Sequence, residues 1–215
     1  MIKVDIFTFN PFQENTYLLH DESRECVIID PGCYEREEQE ELTSFIEINN
    51  LKVVELLNTH CHIDHVLGNY FVKEKYKVKL AANKIDEPIL KAVKVYAPNY
   101  GFVNYTEATI DRYIDEGDQI KFGNTTLDIL FVPGHAPGHV AFYNSKENIC
   151  IGGDVLFAGS IGRTDLPGGN FETLIKSIQD KIFSLGEAMV VYPGHGPETT
   201  VGREMRSNPY CALRA

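Results

Sequence analysis

Thr59-His60-Cys61-His62-Ile63-Asp64-His65 follows directly on the apolar run Val53-Val54-Glu55-Leu56-Leu57. A buried strand therefore ends in a cluster of imidazoles and one carboxylate. Alternate side chains of an extended backbone point the same way. His60, His62 and Asp64 are expected on one side and Cys61 on the other, with a turn after Asp64 bringing His65 to a second position. Histidine nitrogen with carboxylate oxygen suits zinc, iron or manganese.

The pattern recurs along the chain. Pro133-Gly134-His135-Ala136-Pro137-Gly138-His139 follows Leu127–Val132, Gly152-Gly153-Asp154 follows Ile149-Cys150-Ile151, and Pro193-Gly194-His195-Gly196-Pro197 follows Met189–Tyr192. Six of the seven histidines lie in these clusters, and His20 alone stands apart, read as a satisfied polar group. Strand ends on a rigid sheet can converge ligands from distant sequence. His60, His62, Asp64, His65, His135, Asp154 and His195 make seven candidate ligands, more than the four of one tetrahedral site. The surplus points to two divalent metals. With Asp154 bridging, each would receive three further protein ligands, and two metals about 3.5–4 Å apart can share one water. Zinc is the first expectation, with iron and manganese open. Pro137 and Gly138 disfavour a helix that would stack His139 on His135. His139 is read as supporting a ligand by a hydrogen bond, with a purely structural role as the alternative.

The rest of the sequence bounds the reading. At 215 residues, one domain over 1–215 is the expectation, with no linker or repeat. Lysine and arginine total 20 against 31 aspartates and glutamates, a net charge of −11 that argues against a nucleic-acid binder using a basic face. No apolar run approaches the ~20 residues of a membrane span. The start, Met1-Ile2-Lys3-Val4-Asp5, reads as a strand and not a signal peptide. The five cysteines are scattered without CxxC spacing, which fits free thiols in the cytoplasm. The sequence identifies no protein partner.

Propensity and pattern predict strands at Val4–Phe9, Thr16–His20, Cys26–Asp30, Val53–Leu57, Leu80–Ala82, Gln119–Phe122, Leu127–Val132, Val140–Tyr143, Ile149–Ile151 and Met189–Tyr192. Helices are expected at Glu35–Asn49, His65–Tyr76, Asp86–Tyr96 and Phe171–Leu185, and a loop over 97–109. Short strand-to-strand connections imply antiparallel pairing within layered α and β structure.

The four motifs, Thr59–His65, Pro133-Gly134-His135, Gly153-Asp154 and Tyr192-Pro193-Gly194-His195, resemble in order those of the metallo-β-lactamase superfamily, in its short bacterial glyoxalase II-like branch. Gly159–Asp165, Gly196–Glu204 and Asn208-Pro209 are similar to the same subgroup. The resemblance implies an α/β fold, a four-layer αβ/βα sandwich. It implies that His60, His62 and His135 hold one metal, that Asp64, His65 and His195 hold the other, and that Asp154 bridges. The implied activity is hydrolysis of a small-molecule thioester such as S-lactoylglutathione to a 2-hydroxy acid and a thiol, by hydroxide generated at the metals. Asp64 is the expected catalytic residue, orienting the nucleophile as well as binding metal. The chain departs from long glyoxalase II enzymes in two ways. It stops soon after its last motif, where they carry a helical domain that helps hold glutathione. It also has Arg163-Thr164-Asp165 where they place a Lys-Phe-Tyr run. Arg163 could bind a substrate carboxylate, or equally pair with Asp165. Two rival readings remain: a mononuclear-iron persulfide dioxygenase using His60, His135 and Asp154, and a non-catalytic metal-binding interaction domain.

Overall fold

The structure, a computed structural model, describes residues 1–213. Its contacts group the chain into two compact units. The first is Met1–Ile114 with Lys121–Thr126; the second is Asp115–Ile120 with the described chain from Leu127 onward.

The first unit holds a six-stranded sheet. Strands β1 (Lys3–Phe9), β2 (Glu14–His20), β3 (Glu25–Ile29), β4 (Lys52–Leu57), β5 (Leu80–Ala82) and β6 (Arg112–Tyr113) follow one another across it in chain order. β1, β2 and β3 pair antiparallel, whereas β3 through β6 run parallel. The antiparallel pairing expected of short connections holds at the two hairpins, while β3 to β6, joined through helices, pair parallel. Helices α1 (Arg36–Ile48), α3 (Asn69–Tyr76) and α4 (Glu87–Tyr96) lie in the connections and return the chain to the same end of the sheet. Leu18, Ile28, Leu56 and Leu80 point to the helix-covered face, where they pack with Leu42 and Ile46 of α1, Val72 of α3 and Leu90 and Val93 of α4. Tyr17, Leu19, Val27, Ile29, Leu57 and Ala81 alternate with them and are equally buried. Full burial of such a side chain contributes about 1.5–3 kcal/mol. The start of α1 is fixed by a reciprocal cap between Glu35 and Glu38.

One predicted helix is interrupted. In place of a continuous His65–Tyr76, the short α2 (Ile63–Val66) ends before α3 begins at Asn69. Gly68 is the cause. Its amide donates to the Pro31 carbonyl at 2.7 Å. A Cβ there would stand 2.5 Å from Cys33 Sγ and 2.9 Å from the Pro31 oxygen, so the β3 exit loop reaches this close only because the residue is glycine.

The second unit centres on the other sheet, ordered β14–β13–β10–β9–β8–β7, with β7 (Gln119–Phe122), β8 (Thr125–Phe131), β9 (Val140–Asn144), β10 (Ile149–Gly153), β13 (Val190–Pro193) and β14 (Thr199–Thr200). Between β10 and β13 the small hairpin β11 (Leu156–Phe157) and β12 (Ser160–Ile161) stands apart. Ala141, Cys150 and Val191 bury one face against Leu174 of α5 (Phe171–Ser177), Ile178, Ile182 and Val201 of α6 (Val201–Ser207). The predicted helix Phe171–Leu185 is one helical run, but α5 passes into a π turn at Ile178–Ile182 and a 3₁₀ turn at Phe183–Leu185. The short α6, absent from the sequence reading, starts where the Thr200 hydroxyl accepts the Arg203 amide at 3.3 Å. All five cysteines are buried free thiols. No helix among the described residues is long and apolar enough to cross a membrane.

Candidate metal centre

In the first unit the candidate ligands sit just beyond β4. The backbone is irregular from Asn58 to His62, and α2 begins at Ile63, so the turn comes before Asp64 and not after it. This corrects the extended-backbone argument: Asp64 belongs to the first helical turn and His62 to its N-cap. The His65 amide closes the turn on the His62 carbonyl at 3.1 Å. The rings of His60 and His62 are 4.8 Å apart and those of His60 and His65 4.2 Å.

Asp30, which the sequence reading takes only as the end of a strand, organises this cluster. It is buried and held at φ 52°, a left-handed conformation few non-glycine residues adopt. Its Oδ1 accepts the Thr59 amide at 2.7 Å. Its Oδ2 accepts the Thr59 hydroxyl at 2.5 Å and lies 3.2 Å from His65 Nδ1. A carboxylate only accepts, so His65 Nδ1 carries the proton and Nε2 keeps its lone pair. The Thr59 hydroxyl spends its proton on Asp30, so at 3.0 Å it accepts from His60 Nδ1, which leaves His60 Nε2 as a donor to metal too. Asp86, also buried, accepts the Cys61 amide at 3.0 Å, and Asn10 Nδ2 donates to the Asp64 carbonyl at 3.1 Å. Cys61 packs into the core of the first unit, and that burial pushes its thiol well above its usual range.

In the second unit, the parallel pairing of β10 with β13 sets Gly153 beside Pro193, and the Gly194 amide donates to the Gly153 carbonyl at 2.8 Å. Asp154 and His195 are thereby brought to one end of adjacent strands. Asp154 Oδ2 lies 3.5 Å from His135 Nε2 and 3.6 Å from His195 Nε2. His135 Nδ1 donates to the Arg163 carbonyl at 2.8 Å, which again leaves Nε2 its lone pair. His139, fully buried, uses its Nε2 differently: it accepts the Asp154 amide at 3.1 Å. That bond holds the backbone of Asp154 and occupies the nitrogen a metal would need. Gly162 packs so closely on the Asp154 carbonyl that a side chain there would collide with it.

The donor set fits divalent cations. Two donors each about 2.1 Å from one tetrahedral ion stand roughly 3.4 Å apart. The His135–Asp154 and His195–Asp154 separations, and that of 3.6 Å between His65 Nε2 and Asp64 Oδ2, match this spacing and exceed an ordinary hydrogen bond. One oxygen of Asp154 thus faces two imidazoles.

Arg163 gives its guanidinium to Asp165 in a bidentate pair at 2.7 and 2.8 Å, and that hydrogen bonding holds the Asp165 carboxyl down to about 2. What Arg163 contributes to the cluster is its carbonyl. His20 lies 3.0 Å from Asp5 and takes no part.

Sheet order, motif order and donor chemistry define a metallo-hydrolase class, and the chain belongs to the metallo-β-lactamase superfamily, whose family profile matches residues 9–195. It has that family's α/β fold. A crystal structure of the BLEG-1 B3 metallo-β-lactamase superposes with a TM-score of 0.86 at 32% identity, covering 99% of this chain and 100% of that one. The TTHA1623 protein, solved in a di-iron-bound form, gives 0.85 at 36% identity, over 96% of this chain and 100% of that one. Among curated relatives, the hydroxyacylglutathione hydrolase GloC of Haemophilus influenzae is 37% identical over 97% of this chain and 98% of its own length.

Proposed function

We propose that this protein hydrolyses a small thioester of the S-lactoylglutathione type to a 2-hydroxy acid and a free thiol. The observation that carries the reading is Asp154 Oδ2, placed 3.5 and 3.6 Å from two histidines whose own positions are fixed by β10, β13 and the Arg163 carbonyl. On the family's motif correspondence, His60, His62 and His135 hold one divalent ion, Asp64, His65 and His195 hold a second, and Asp154 serves both. Divalent ions bound there supply a water of lowered pKa and an electrophilic contact for a carbonyl oxygen.

The chain's own residues do the positioning. Nδ1 of His60, His65 and His135 is engaged by Thr59, Asp30 and Arg163 respectively, so each Nε2 is presented in the ligating tautomer. Asp64 accepts a hydrogen bond from the attacking water and aims it at the thioester carbon. A thiolate departs without a strong general acid, and none is required of this site. The name of the Haemophilus relative supports the acyl-glutathione class of substrate.

The test is thiol release from S-lactoylglutathione by metal-loaded protein, with oxygen uptake from glutathione persulfide recorded in parallel. Thiol release that is lost in Asp64→Ala is the expected result. Oxygen uptake without thiol release would make the protein a dioxygenase instead.

A further inference from the structure

Between Asp154 and Arg163 the chain makes the β11–β12 hairpin, which pairs Leu156 with Ile161 and Phe157 with Ser160 and joins neither large sheet. An isolated two-stranded hairpin is at best marginally stable in water, so something outside it must fix its position. Three candidate ligands depend on that position. Asp154 leads into the hairpin. Arg163 leads out of it and gives its carbonyl to His135 Nδ1 at 2.8 Å. Gly162 is pressed between the two, since a Cβ there would strike the Asp154 carbonyl and come within 3.1 Å of His135 Nδ1. The Phe157 ring meets that of His195 edge-on at 6.3 Å.

The anchor is Glu204, a fully buried residue of α6. Its Oε2 accepts the amide of Gly159, the left-handed residue at the hairpin tip (φ 71°), at 3.0 Å. Its Oε1 accepts the Thr199 hydroxyl at 2.5 Å. Thr199 pairs with Val191 and so closes the 194–198 loop that carries His195. Asn208, buried one turn further along, completes the grip. Its Nδ2 donates to Glu204 Oε2 at 2.8 Å and to the Ser160 carbonyl at 3.0 Å. Arg203 Nε stays 3.7 Å from Oε1, beyond hydrogen bonding, so the buried carboxylate is held by loop and helix donors and not by a close cation. An apolar side chain could fill the same space without desolvating a charge. It could not supply acceptors to two loops at once.

Resting on the two-metal reading above, we propose that Glu204, with Asn208, is a positioning residue of the metal centre. From α6 it sets the β11–β12 hairpin and the His195 loop, and through them Asp154, His135 and His195. Loss of partners that orient metal ligands weakens affinity by about 10–100-fold.

The experiment compares wild type, Glu204→Met and Glu204→Gln. Glu204→Met fills the space and removes both acceptors. Glu204→Gln keeps an oxygen for Gly159 and Asn208 and turns its NH₂ to Thr199, whose hydroxyl can accept as well as donate. Co(II) affinity by chelator competition, the ligand-field spectrum of the Co(II)-loaded protein, and kcat and KM for S-lactoylglutathione are measured on protein shown to be folded by circular dichroism. Glu204→Met should bind Co(II) about tenfold or more weakly, with an altered ligand-field spectrum. Its kcat should fall about tenfold or more, with KM within about threefold. Glu204→Gln should stay within about threefold of wild type in affinity and kcat. If Glu204→Met does not fold, Asn208→Leu, which frees the Ser160 carbonyl and leaves Glu204 in place, decides by the same criteria. A folded Glu204→Met with wild-type Co(II) affinity and spectrum overturns the proposal, as does a Glu204→Gln that loses as much affinity as Glu204→Met. Wild type that binds Co(II) without releasing thiol overturns the thioesterase reading alone, and the affinities and spectra then decide the role of Glu204. Wild type that binds no Co(II) overturns the metal centre and this role with it.

Discussion

Asp154→Ala is expected to prevent binding of both proposed metals and to cost on the order of 10³-fold or more in thiol release. The reasoning starts from one oxygen. Asp154 Oδ2 is the atom that His135 and His195 both approach, at 3.5 and 3.6 Å, so its removal takes a donor from two positions at once. Metal catalysis of this type contributes several kcal/mol, and each 1.36 kcal/mol is tenfold in rate. The fold should survive, because the backbone of residue 154 keeps its bond to His139 and its neighbour Gly153 keeps the Gly194 contact. Circular dichroism matching the wild type, alongside metal content below one ion per chain, is the expected pair of results. Retained metal with retained activity would remove Asp154 from the centre.

Asp30→Ala is the second large effect, and it acts at one remove from the metals. The substitution leaves the Thr59 amide, the Thr59 hydroxyl and His65 Nδ1 without their acceptor in a fully buried place. An unsatisfied buried group costs about 1–3 kcal/mol, so a loss of roughly 3–5 kcal/mol in urea unfolding is expected after partial relaxation. The same change frees the rings of His65 and, through Thr59, of His60. Loss of such supporting hydrogen bonds weakens metal affinity by about 10–100-fold. Asp30→Asn separates the two effects, since its amide oxygen can still accept from Thr59 while its NH₂ cannot accept from His65. That variant should recover much of the stability and little of the affinity. A stability change under about 1 kcal/mol in Asp30→Ala would contradict the role given to this carboxylate.

The candidate ligands are legible in the sequence because each cluster follows an apolar strand. His60 comes after β4, Asp154 after β10 and His195 after β13, and a rigid strand fixes where its last residue goes. What supports those ligands was not legible. Asp30 meets Thr59 across 29 residues of chain, Asn10 meets Asp64 across 54, and Asp86 meets Cys61 across 25. No local period records such contacts. Asp30 did carry a signal of the same kind as Asp154, a carboxylate at the end of an apolar strand, but the following Pro31-Gly32 reads just as well as a simple stop. The break at Gly68 was hidden for the same reason: a glycine in a helical pattern is tolerated, and only the approach of Pro31 and Cys33 makes it a boundary. The parallel half of the first sheet follows from helices that were predicted, but strand order is a property of the whole chain.

Seven side chains are proposed to hold a pair of divalent ions, and metal stoichiometry tests this most directly. Protein stripped with chelator, reloaded with excess zinc, iron or manganese and freed of unbound metal should carry two ions per chain by elemental analysis with at least one of them. A ratio at or below one with every metal would contradict the account.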